Sequence, residues 1–119
     1  MKGLRKYKNV PTVIDGISFA SKREAHRYCE LKLLERAGEI SHLEIQPAFK
    51  FEVNGRPVLI RSGGFPNGRQ AKYTADFAYF DGNHRIVEDV KSSATRTEAY
   101  ALRKALVEAM FPAVRIVEI

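Results

Sequence analysis

Tyr73–Ser92, YTADFAYFDGNHRIVEDVKS, is the stretch whose reading decides the fold. Phe77 to Phe80 and Ile86 to Val90 are rich in the aromatic and β-branched residues that suit a pleated, half-buried surface. Between them, Asp81-Gly82-Asn83-His84 offers Gly and Asn at the two central positions of a type I′ hairpin turn, both of which need φ > 0. A two-residue loop there pairs Asp81 with His84, and counting back sets Asp76 opposite Asp89, with Cβ atoms roughly 5 Å apart. Lys91, two residues beyond Asp89, shares its face because strand side chains alternate.

Two facing carboxylates repel, and each is costly to bury without a partner. A hard divalent cation would relieve both costs, since Mg²⁺ takes carboxylate oxygens and keeps several waters. A lysine beside it could position one of those waters. The alternative is a surface hairpin with Asp76 in solvent and Asp89 paired to Lys91. The β-rich flanks favour central strands over that alternative.

Asp76 on one strand and Asp89-Val90-Lys91 on the next resemble the signature of the PD-(D/E)XK nuclease superfamily, with Ala75 where that signature often has proline. The chain is similar to a small phage-associated branch of it, long labelled only a domain of unknown function. Phage-type endonuclease I and Holliday junction resolvases are more distant counterparts. The likeness runs through FASKREAHRYCELKLLERAGEI, LEIQPAF, YTADFAYF and VEDVKS. It implies an α/β, restriction-endonuclease-like core ordered α-β-β-β-α-β, with a mixed central sheet flanked by helices. It also implies a DNA endonuclease in which Asp76, Asp89, the Val90 carbonyl and a helical Glu24 hold Mg²⁺ or Mn²⁺. Lys91 would then orient the attacking water. Branched or junction DNA is the substrate the likeness suggests, and a homodimer would bring two sites to two strands. The competing reading is a DNA-binding accessory protein without catalysis, for which facing carboxylates have no evident use.

Composition agrees with a nucleic-acid partner. One domain spans residues 1–119, with net charge +6 and a pI near 9.6. Lys2, Arg5, Lys6 and Lys8 make residues 1–13 a basic segment, either an arm that touches phosphates or a solvated tail. Lys22, Arg23, Arg61, Arg69, Lys72, Arg96, Arg103 and Lys104 are the expected DNA contacts. The lone Cys29 excludes an intrachain disulfide or a cysteine-cluster zinc site, and reads as a small core residue. No apolar run approaches the roughly 20 residues of a membrane span, and no signal-peptide pattern opens the chain, so a cytoplasmic protein is expected.

The remaining elements frame the hairpin. Asp15-Gly16 is a turn. Ser21 with Glu24 forms a capping box for a helix whose apolar stripe reads Ala25, Tyr28, Cys29, Leu31, Leu33, Leu34 and Ala37, stopped at Gly38. Residues 39–53 read as a strand, or a bent pair, broken at Pro47, with Gln46 beside it a loop amide or else a polar contact near the site. RSGGFPNGRQ, residues 61–70, reads as a loop. A second helix is capped by Thr97, with Ala99, Leu102, Ala105, Leu106, Ala109 and Met110 facing inward, and Pro112 ends it. Val114–Ile119 is a last strand, parallel to the Val87–Lys91 strand by the usual crossover. His26, His42 and His84 lack ligand spacing and read as surface residues.

Overall fold

The computed structural model describes residues 11–90 and 97–119. The chain opens with a small hairpin, β1 (Thr12–Ile14) and β2 (Ile17–Phe19), turned by Asp15 and Gly16, both at positive φ. Helix α1 (Lys22–Arg36) follows. The Ser21 hydroxyl accepts the Glu24 N–H at 3.2 Å, the backbone half of the expected capping box. At the other end Gly38, at φ 81°, lets its own N–H reach the Glu35 carbonyl and the Glu39 N–H reach that of Leu34. That is a Schellman stop, and the left-handed φ is why glycine stands there.

Next come β3 (Ser41–Ile45), β4 (Ala48–Lys50), β5 (Glu52–Val53), β6 (Arg56–Pro57), β7 (Leu59–Ile60), β8 (Arg69–Gln70) and β9 (Lys72–Thr74). The hairpin strands β10 (Phe77–Asp81) and β11 (His84–Asp89), helix α2 (Glu98–Met110) and β12 (Val114–Glu118) complete the chain. One four-stranded sheet has the order β12-β11-β10-β3. β12 runs parallel to β11, and the other neighbours are antiparallel. This is the mixed α/β sheet expected from the sequence, and α1-β3-β10-β11-α2-β12 is its α-β-β-β-α-β order.

Helices cover both faces. Phe77, Tyr79 and Ile86 pack with Phe19, Ala25, Tyr28 and Leu31 under α1. Ala78 and Val87, on the opposite face, pack with Phe49, Phe51, Tyr73 and Val107 under α2. Both helices turn a narrower face inward than expected. Cys29 is exposed rather than in the core, and Leu33 is 61% exposed. On α1 the inward flank is instead taken by Arg27 and Glu35, whose polar partners lie on the sheet. On α2 the buried stripe centres on Val107 with Tyr100, Leu106 and Met110, while Leu102 points out.

Residues 48–74 form a β finger beyond the sheet. β4 pairs with β9, β5 with β6, and β7 with β8. The three chain segments meet where the Phe51 N–H bonds the Ala71 carbonyl, the Ala71 N–H that of Val58, and the Val58 N–H that of Phe51. The stretch read as a loop at 61–70 therefore ends in a strand, β8. Gly68 is required there: its φ is 89°, and a Cβ would stand 3.0 Å from that of Leu59.

Candidate active site

β10 and β11 pair from Asp81↔His84 to Phe77↔Glu88, the register counted from the two-residue turn. Only Gly82 of the turn has positive φ, so the turn has the glycine-first character of type II′ rather than the expected I′. The ladder then stops one pair short of Asp76 and Asp89. The Asp76 N–H bonds the Glu88 carbonyl at 3.1 Å, and its carboxylate accepts the Val90 N–H at 2.7 Å. Asp76 is thus not a plain cross-strand partner of Asp89. It sits at a bend, with its carboxylate on the peptide that follows Asp89.

The bend is built by two long strands that kink together. β3 passes into β4 through Gln46, at φ 54°, and Pro47, which cannot donate to a ladder. β9 passes into β10 through Ala75 and Asp76 alongside. The Gln46 N–H bonds the Asp76 carbonyl at 2.9 Å, and the Ala75 N–H bonds the Pro47 carbonyl at 3.0 Å. Gln46 therefore reaches the site through its backbone. Asp76 is held from both sides, at the junction of sheet and finger.

Asp89 and Glu88 are both buried, at 2% and 1% exposure, and they face opposite layers. Asp89 accepts a hydrogen bond from the Tyr73 hydroxyl of the finger. The Tyr73 ring packs 6.3 Å from that of Tyr100 on α2, whose hydroxyl donates to Glu118 at 2.7 Å. Glu118 is the parallel-register neighbour of Asp89 and shares a face with Val114 and Ile116, which pack into the α2-side core. On the other face, Glu88 takes a two-pronged bond from Arg27, at 2.7 and 2.6 Å, and one from Tyr79. The hydrogen bonds of Glu88 hold the Arg27 guanidinium still further above its ordinary range. Burial first, and then Glu88, pushes the Tyr79 phenol up.

The other expected site residues divide. Glu24 lies one residue from Arg23, whose guanidinium donates to the Ile119 carbonyl at 2.9 Å, and the Ile119 N–H bonds the Asp89 carbonyl at 2.8 Å. The first turn of α1 therefore lies at the Asp89 end of the sheet, but in the layer opposite the Asp89 side chain. Among the described residues no group of three or more His, Cys, Asp or Glu side chains that could hold a metal ion is found. The Val90 N–H is committed to Asp76. Lys91 and Arg96 lie outside the described residues, as does the basic segment up to residue 10.

Residues 4–119 match the family described as "Protein of unknown function (DUF1064)". The chain belongs to that family. No curated protein and no solved structure matches it. No helix among the described residues is long and apolar enough to cross a membrane.

The expected DNA-contacting residues of this family member occupy separate elements. Lys22 and Arg23 lie on the first turn of α1, and Arg103 and Lys104 on α2. Lys104 stands 3.8 Å from Glu118. Arg61, Arg69 and Lys72 belong to the finger and are exposed. Tyr73, Tyr100, Glu118 and Arg27 are the site residues that pattern reading did not single out. A tyrosine on the strand entering Asp76 is the one available signal, since a buried hydroxyl seeks a polar partner.

Proposed function

We propose that this protein is a metal-dependent DNA endonuclease centred on Asp76 and Asp89. The observation that carries the reading is the Asp76 carboxylate fixed on the Val90 N–H, directly beyond a buried Asp89. The Asp76 carboxylate on the peptide after Asp89 and the Asp89 carboxylate on Tyr73 would together offer hard oxygen donors that suit Mg²⁺ or Mn²⁺, with the remaining positions left to water. Such an ion, when bound, lowers the pKa of a water and offsets charge developing on a phosphate.

The chain's own residues do the rest. Backbone bonds from Gln46 and to Glu88 keep Asp76 from swinging with its strand. Tyr73 engages the Oδ2 atom of Asp89 and so fixes the orientation of the carboxylate. Lys91, next but one in sequence, is the residue assigned to orient the attacking water. Branched DNA as substrate and a homodimer as the active form belong to the same proposal, on the resemblance of Asp76 and Asp89-Val90-Lys91 to the nuclease signature.

The test is incubation of the protein with linear, nicked and four-way-junction DNA in Mg²⁺, Mn²⁺ or EDTA. Metal-dependent cleavage that Asp76→Asn and Asp89→Asn both abolish is the expected result. A folded wild-type protein that cuts none of these substrates with either metal overturns it.

A further inference from the structure

The finger carries a strong excess of positive charge. Lys50, Arg56, Arg61, Arg69 and Lys72 stand there against Glu52 alone, a net of +4 within residues 48–74. Residues 1–10 carry four more cations and no acid, so from the total of +6 the remaining body is left at −2. The basic pI therefore belongs to residues 1–10 and 48–74 and not to the remainder of the chain.

The finger's cations are also exposed, and none of the five takes part in an ion pair among the described residues. In the body, four of the cations, Arg27, Lys32, Arg85 and Lys104, have carboxylate partners. Lys50 and Lys72 are moreover direct cross-strand partners in the β4–β9 ladder. Like charges directly opposite each other destabilise a strand pair. On the other face of the same ladder, Phe49 and Tyr73 are buried in the core. The lysine pair is thus an unrelieved repulsion on a ladder whose buried side is well packed, and a polyanion laid across it would relieve that repulsion.

We infer that the finger is a phosphate-backbone clamp for duplex DNA, with the cross-strand pair Lys50–Lys72 as its anchor. The phosphate chemistry stands on the charge distribution, and the choice of DNA rests on the nuclease reading. Lys72 precedes Asp76 by four residues on one bent strand, about 13 Å at strand rise. At 3.4 Å per step along one strand, the anchor would engage phosphates about four nucleotides from the bond beside Asp76.

The experiment is fluorescence anisotropy on a labelled duplex in EDTA, titrated with salt, for wild type, K50Q/K72Q and K50R/K72R, with thermal unfolding of each. Losing two phosphate contacts should lower the log–log salt slope by about 1.8, while K50R/K72R keeps it. At low salt K50Q/K72Q should melt no lower than wild type, because a repulsion has gone. A slope unchanged in K50Q/K72Q overturns the clamp, even if wild type cuts DNA. A slope that falls as expected upholds it, even if wild type cuts nothing and the nuclease reading fails. Tighter binding to duplex RNA than to duplex DNA overturns the choice of ligand.

Discussion

Glu88 and Asp89 are consecutive, almost equally buried, and on opposite faces of one strand. Glu88 is sealed by a two-pronged arginine and a tyrosine, so its charge is matched inside the α1-side layer. Asp89 takes its tyrosine from the finger and has a second acid, Asp76, on the next peptide. Burial of an acid is therefore no mark of function here. What separates the two is the layer that holds them: Glu88 takes an arginine and a tyrosine of the α1 side, whereas Asp89 takes a tyrosine of the finger and is followed by the peptide that Asp76 grips.

The largest expected effect lies on the sealed side. Arg27→Ala leaves Glu88 charged and without its cation in the interior, a change that costs about 3–5 kcal/mol. Urea unfolding should show it. Arg27→Met with Glu88→Gln should recover much of the loss, because the uncompensated charge is then gone. A loss below about 1 kcal/mol for Arg27→Ala would mean that Glu88 is not held as a charged group.

On the other face the balance between stability and chemistry reverses. Asp89→Asn keeps the shape and an acceptor for Tyr73, so stability should move by about 1 kcal/mol or less. Cleavage should fall at least about a hundredfold, equivalent to about 2.7 kcal/mol of transition-state stabilisation. Equal cleavage by Asp89→Asn and wild type would remove the contrast between the two acids.

The tyrosines refine the contrast. Tyr73→Phe and Tyr79→Phe each remove one hydrogen bond to a buried carboxylate, at a cost of about 1–2 kcal/mol. Only Tyr73→Phe should also slow cleavage, since only Tyr73 orients Asp89. If both variants cut DNA at the same reduced rate, the effect is one of general stability.

Much of this arrangement was legible in sequence. The register from Asp81↔His84 to Phe77↔Glu88 follows from a two-residue turn, and the parallel β12 from a helical crossover. The bend at Asp76 was not legible, because it depends on Gln46 and Pro47, which are about 30 positions away in the chain. Strict counting extends a ladder that long-range hydrogen bonds end. Arg27 was hidden for a related reason. On a helix, an arginine beside alanines and leucines reads as solvated, and only the buried Glu88 across the layer turns it inward. The narrower face of α1 has the same origin, since Arg27 and Glu35 take the flank positions beside the buried Ala25, Tyr28 and Leu31.

Glu35 extends the comparison to an acid held by a backbone N–H, as Asp76 is by Val90, and gives the smallest effect. Its carboxylate accepts the Leu43 N–H at 3.0 Å, tying the last turn of α1 to β3. That bond first, and then the Lys32 ammonium, hold its pKa below the ordinary 4.5 against the opposing cost of burial. A folded-state pKa below the unfolded value favours folding above about pH 4.5, and the benefit is lost as pH falls through the lowered folded value. Glu35→Gln retains an acceptor for Leu43 but no charge. The stability gap between wild type and Glu35→Gln should therefore be full at pH 6, about 1 kcal/mol for one charge-assisted bond, and should close as the pH falls below 4.5 and through the lowered folded value. Unfolding midpoints measured across that range test it. A gap that persists unchanged at pH 3 would show that Glu35 holds β3 by shape, and that a backbone N–H alone does not fix the charge of an acid in this fold.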